Sequence, residues 1–362
     1  MSDTLPLAPV KLGLFDIMQI DPLQDVSLPE MLRLRLDDLA LADRLGYDAA
    51  FVAERHFMPQ FAAASATAWI AAASQRTIRM RLGVMAYTLP IKDPVELAEQ
   101  IGILDLLSDG RLEVGFGMGH RVEELVALGV DPNLRIPRFQ ERLALLKALL
   151  TGGTVSYERN QFALKGVTVS PLAQQDPHPP LWFAGTEPMA SQWMAANGLG
   201  LAVGFKPLAA LAPTVASYRD GLAKRTPETI ESEPPRPLGR LALMRSIIVA
   251  DSDQQVREDV IGDLLRLGEL AQGEQSEATR SERRADANTR FDEMVREGVM
   301  IAGSPETVAK AILRSREVVP FDLFLGSPYA MGASRERIET TLRLLAGPVR
   351  ELIGASATVA TA

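Results

Sequence analysis

Glu54, Arg55 and His56 place a carboxylate, a guanidinium and an imidazole at consecutive positions, directly after the apolar run Ala49 to Ala53. A lone histidine is most often a packing or surface residue. Three charged or titratable side chains at one strand exit can instead hold a polar reactant and exchange a proton with it. A second group is Gly115-Phe116-Gly117-Met118-Gly119-His120-Arg121. Glycines at alternate positions strip Cβ atoms from one side of the backbone, so a flat group can approach closely; the same glycines also suit a tight strand-to-loop turn. A dinucleotide fingerprint fits less well, because His120 stands where that pattern wants its third glycine.

A third group is Ala184-Gly185-Thr186-Glu187-Pro188, running into Met189, Ala190 and Ser191. A Gly and a Thr ahead of a helix started by proline leave free N–H groups at the positive end of the helix dipole, which suits a phosphate and also makes an ordinary N-cap. The stretch Gly83 to Pro90, with Met85-Ala86 at its centre, adds small residues at a further strand exit.

Strands and helices alternate along the chain around these groups. Strands are predicted at Lys11 to Asp16, Ala49 to Ala53, Arg81 to Thr88, Leu112 to Gly117, Leu181 to Ala184, Leu199 to Phe205, Leu241 to Ala250 and Phe321 to Leu325. Amphipathic helices lie between them, with start signals such as Asp93-Pro94 and a stop at Gly46. Eight strand-helix units without a break in composition point to one α/β domain over residues 1–362, a (β/α)8 TIM barrel with insertions. In such a barrel chemistry sits at the carboxyl ends of the strands, where all four groups fall.

Two segments exceed a minimal barrel. Residues 151–180 read as a hairpin excursion ending in a Pro-rich loop, and residues 268–290, rich in Glu, Arg and Ser, as a mobile insertion serving as a lid or as a solvated spacer.

Composition narrows the partners. A net charge of −8 argues against nonspecific nucleic-acid binding. The absence of cysteine removes disulfides, thiolate nucleophiles and zinc-thiolate sites. Phe61 to Ala73, the most apolar stretch, is too short to span a bilayer and reads as a packed helix. No secretory signal opens the chain, so a cytoplasmic location is expected, without membrane association. No Walker loop, nucleophile elbow or His-Glu-x-x-His helix occurs. His56, His120 and His178 are too far apart in sequence to propose a metal site, although a metal hydrolase using Asp16 or Glu54 remains a rival reading.

Together the motifs resemble the bacterial luciferase-like monooxygenase family. The resemblance rests on Phe51 to Phe57, Leu89-Pro90 with Asp93-Pro94 and Glu99-Gln100, and Leu104 to Arg111. It continues through Gly129-Val130-Asp131, Arg138-Phe139 with Glu141, Pro179 to Trp182 and Gly303 to Thr307, covering roughly residues 10–352. The resemblance implies a barrel that binds reduced FMN (FMNH2) from a separate flavin reductase, activates O2 on it and oxygenates a small organic substrate. It implies a homodimer through helices beside the second and third strands, where Ala62 to Ala73 offers small residues. Met85-Ala86 matches the family's non-prolyl cis peptide beneath the flavin. Gly185, Thr186 and the following helix start match its phosphate site, and Met118, Gly119, Ala184, Glu187 and Ser191 complete the expected cofactor contacts.

Two departures stand out. Luciferases proper carry an acid-base histidine where this chain has Arg55, followed by a second histidine at His56; the family's usual phosphate-binding arginine is here Met118, which leaves Arg121 or Arg55 to replace that cationic contact. These changes argue against light emission. His56 is the expected proton handler, oriented by Glu54, with Arg55 or His120 contacting substrate. The alternatives are a deazaflavin- or FMN-dependent hydride-transfer oxidoreductase and a noncatalytic flavin-binding protein.

Overall fold

In a computed structural model describing residues 8–159, 162–272, 277–330 and 332–359, the strands are β1 (Lys11–Asp16), β2 (Ala49–Val52), β3 (Arg81–Thr88), β4 (Leu112–Gly117), β5 (Val155–Arg159), β6 (Phe162–Val167), β7 (Leu181–Ala184), β8 (Gly200–Gly204), β9 (Leu241–Val249), β10 (Met300–Gly303) and β11 (Leu323–Ser327). Eight of them close a parallel barrel in the order β9-β11-β1-β2-β3-β4-β7-β8, sealed by the β8–β9 pairing. These are the eight strands expected from sequence, displaced by at most two residues at their ends. The excursion at 151–180 does carry an antiparallel hairpin, β5 with β6.

One strand escapes the sequence pattern. β10 pairs with the upper part of β9, Met300 opposite Ser246 through Gly303 opposite Val249. Four residues directly after a charged helix give too short a run for periodicity to register.

Where it is described, the segment 268–290 is helical. Gly268 to Gln272 end the helix Asp253–Gln272, and Glu277 to Arg290 belong to the helix Glu277–Arg296, so a helical hairpin joins β9 to β10. Residues 273–276 of the expected lid lie outside the described residues. Arg257 ties the two helices together, bonding to Asn288 Oδ1 at 2.8 Å and pairing with Asp292. A segment poor in apolar residues can still be helical when such cross-links and good helix formers supply the stability.

Side-chain alternation sets two apolar layers. Phe15, Phe51, Met85, Trp182, Met244 and Leu325 point into the barrel and pack as one cluster. The opposite faces of the strands pack against the helices, with Ile101, Leu104, Phe139 and Leu146 among residues at 0–2% exposure. Each such aliphatic side chain contributes roughly 1.5–3 kcal/mol on burial. The amino end of the barrel is plugged by Trp182 Nε1 donating to Glu113, which also pairs with Arg81. At the carboxyl end four inward positions are small and only half-buried, Gly117, Ala184, Gly204 and Ser246, beside the larger Ile17. The barrel is closed below and open above.

Candidate functional site

At the exit of β2, Glu54 lies buried with its side chain 1% exposed. Its Oε1 accepts from His56 Nε2 at 3.2 Å and from Lys92 Nζ at 2.7 Å. Burial pushes the Glu54 carboxyl upward, but the bonds to His56 and Lys92 outweigh it and hold the group below its ordinary value. An ionised carboxylate can only accept, so His56 Nε2 carries the proton and Nδ1 is the nitrogen left to act as base. Lys92 was not singled out by sequence. It sits four positions past Thr88, the end of β3, and inspecting every strand exit for cations would have found it.

The β4 exit divides the glycines by role. A Cβ on Gly115 would stand 2.4 Å from the Val84 carbonyl oxygen, and one on Gly83 would stand 2.3 Å from the Phe51 ring. Those two glycines serve barrel packing, which corrects the reading of both as room for a ligand. Gly119 has φ +71 and turns the chain against Thr88 and Leu125. Gly117 differs: a Cβ there would meet nothing closer than Ala86 Cβ at 3.7 Å and Ala184 O at 3.9 Å. Ala86, Gly117 and Ala184, from three adjacent strands, thus form a floor of small residues in the mouth. The Met85–Ala86 peptide is cis, as the resemblance implied.

Beyond Gly119 the β4 loop leans toward β2. Arg121 Nη1 donates to the His56 carbonyl at 3.0 Å. His120 is exposed, and partial burial together with the Arg55 charge lowers its pKa, against the pull of Glu124. Arg55, half-buried, has its guanidinium shifted downward chiefly by burial. Glu124 is buried and accepts from Thr88 Oγ1 at 3.2 Å. The structure therefore brings Glu54, Arg55, His56, His120 and Arg121 to one side of the mouth.

The β7 exit faces them across the floor. Ala184, Gly185, Thr186 and Pro188 are half-buried, and Glu187 is exposed. By position, the N–H groups of Met189 and Ala190 have no acceptor within the helix Pro188–Ala196. Ser191 is a correction: it is fully buried and its Oγ donates to the Glu187 carbonyl at 2.9 Å, so the hydroxyl is turned into the helix rather than toward the mouth. Met118 is half-buried at the end of β4 and brings no charge.

Two rim aromatics also went unnoticed in the sequence. Phe57 (φ +54, 61% exposed) and Phe205 (φ +56, 42% exposed) take left-handed conformations that bulky residues adopt rarely, and such outliers cluster at binding sites. Phe205 packs on Phe15 with ring centroids 5.7 Å apart, and Phe57 lies 6.2 Å from His56. Among the described residues, no three His, Asp or Glu side chains converge as a metal site. Asp16 is engaged by Arg35 at 3.4 Å, and His178 is buried against the Pro179 carbonyl at 2.7 Å. No described helix is long and apolar enough to cross a membrane.

Comparison with known proteins identifies the family and the fold. The chain matches the family described as luciferase-like monooxygenase over residues 17–320. It is 34% identical over 225 residues to protein y4wF of Sinorhizobium fredii, covering 61% of this chain and 64% of that one. It is 30% identical over 168 residues to the oxygenase component of the flavin-dependent trigonelline monooxygenase of Acinetobacter baylyi, covering 45% and 46% of the two chains. The chain thus aligns with about half to two thirds of the length of these curated relatives. The crystal structure of monooxygenase RslO1 from Streptomyces bottropensis superposes with a TM-score of 0.77 at 24% identity over 93% of this chain and 98% of that one. That likeness speaks for the fold.

Proposed function

The chain belongs to the luciferase-like monooxygenase family, and on that premise we propose that it is an FMN-dependent monooxygenase acting on a small organic substrate. The observation that carries the reading is the floor of Ala86, Gly117 and Ala184, a surface that any larger side chain at Gly117 would fill. It fits a planar ring system lying on backbone. The N–H groups at the start of the helix Pro188–Ala196, with Gly185 and Thr186, suit the phosphate end. Reduced FMN, when bound, supplies the activation of O2 and the transfer of one oxygen atom.

The protein's own part is positioning and proton handling. Glu54, fixed by Lys92, holds the His56 ring through Nε2 and leaves Nδ1 to take or return a proton at the rim. The exposed rings of Phe57 and Phe205 offer apolar surface at the rim for an organic substrate. The designation of one relative as an oxygenase component supports a separate flavin reductase as partner. Ala68 and Ala72, exposed beside Ile103, Leu106 and Leu107, support a homodimer across the helices Ala66–Ser74 and Pro94–Leu107; sedimentation velocity of a Leu106→Arg variant is expected to show monomer where the parent shows dimer.

Mixing the anaerobic complex with reduced FMN against dissolved oxygen, in a stopped-flow spectrophotometer, tests the function. An oxygenase reoxidises the flavin in two spectrally resolved phases; a single slow phase favours a hydride-transfer enzyme. Failure of FMN to bind in either redox state overturns the reading. His56→Ala is expected to lower turnover by about 100-fold with FMN binding intact, measured on a substrate found by product mass spectrometry; unchanged turnover removes His56 from the mechanism.

A further inference from the structure

Arg55 carries a permanent positive charge at the rim of the mouth. Its guanidinium makes no hydrogen bond or ion pair among the described residues, although the residue is half-buried. A guanidinium with all of its donors uncommitted is open to an anionic ligand. Arg121 stands beside it and commits one N–H, to the His56 carbonyl. Glu124 is the acidic group whose field reaches both Arg55 and His120, but it forms no ion pair with either arginine among the described residues and is held instead by Thr88. With His120 biased toward its neutral form, two cations face one carboxylate, an excess of one positive charge.

The position of the pair separates it from the proposed phosphate site. Gly119 leans on Thr88 of β3, which carries Arg121 toward the β2 exit and away from Gly185 at the exit of β7. Arg55 issues from β2 itself. The exposed ring of Phe57 lies at the same exit, next to His56. An anion held here has an apolar surface beside it and the proton-handling nitrogen within the same group of residues.

We propose that Arg55 and Arg121 bind the carboxylate of an otherwise apolar, aromatic or similarly rigid substrate acid, orienting it toward the ring system seated on the floor of Ala86, Gly117 and Ala184. Two N–H donors of a guanidinium match the two oxygens of a carboxylate, and a cation that cannot deprotonate near neutral pH suits binding rather than the proton exchange of a histidine. The inference rests on the oxygenase reading for what happens to the bound acid, but not for the binding itself.

Benzoate and its uncharged isostere benzamide are the probes, titrated by calorimetry into the full-length protein with and without FMN. Benzoate is expected to bind at least ~10-fold more tightly than benzamide, a ratio that corresponds to about 1.4 kcal/mol. Arg55→Gln and Arg121→Gln should each abolish the preference, while Arg55→Lys retains part of it and shows that the fold survives the change. Equal binding of the two probes, or a preference that persists in both Gln variants, overturns the proposal. The flavin phosphate is the other possible anion, and the ratio of FMN to riboflavin affinity distinguishes it. That ratio should be unchanged in Arg55→Gln; its collapse would assign the pair to the cofactor and also overturn the proposal. Absence of FMN binding with the benzoate preference intact defeats the oxygenase reading alone.

Discussion

Lys92 and Glu54 offer a quantitative test of how the mouth is held. The two are 2.7 Å apart, with Glu54 almost fully buried and the Lys92 side chain 25% exposed. At an effective dielectric of ~20 the gross attraction is about 6 kcal/mol, offset by several kcal/mol of carboxylate desolvation. Lys92→Met leaves the carboxylate with His56 Nε2–H as its remaining side-chain donor. The usual penalty for breaking a buried pair is about 3–5 kcal/mol; partial exposure of Lys92 and relief through His56 bring the expected loss to about 2–3 kcal/mol. In a Glu54→Gln background the same change should cost under about 1 kcal/mol, since no carboxylate is left unpaired. The coupling energy is then roughly 2 kcal/mol, read from urea unfolding of the four proteins. Additivity within about 0.5 kcal/mol would refute the argument. The sign with pH is fixed as well. Glu54 is held below its ordinary value of 4.5, so its contribution is present above that pH and is lost as pH falls through the depressed folded value. The stability curves of the parent and Lys92→Met should therefore converge on acidification.

Other outcomes follow from single positions. Gly117→Leu should leave thermal stability within a few degrees yet weaken FMN binding by at least ~10-fold in a fluorescence titration, because its side chain would occupy the floor. Gly83→Ala should destabilise by ~1–3 kcal/mol, since its Cβ meets the Phe51 ring; FMN binding to Gly117→Leu as tight as to the parent would place the flavin elsewhere. His178, pushed down to about 4 by burial, is neutral in the fold and favours it above about 6.5, its ordinary value. That stability is lost as pH falls from 6.5 toward 4, with a slope of at most ~1.4 kcal/mol per pH unit. His178→Asn, which can still donate to the Pro179 carbonyl, should flatten the slope in pH-dependent urea unfolding, and an unaltered slope rules His178 out as its source.

The barrel and the neighbourhood of Glu54, Arg55 and His56 are legible in the sequence because both depend on local information: a period of two in the strands, a period near 3.6 in the helices, and adjacency along one strand exit. The contacts that define the site are long-range. Lys92 reaches Glu54 from the next strand exit, and Arg121 reaches the His56 carbonyl across 65 residues. Loop trajectories set by packing, such as Gly119 against Thr88, decide these pairings, and no periodicity encodes them. The glycines make the same point. Gly83, Gly115 and Gly117 look alike in sequence, yet two are fixed by what lies opposite them in the closed barrel and one is left open. Sequence determined which residues reach the rim; closure of the sheet decided which of them face one another, because only the register of distant strands sets those distances.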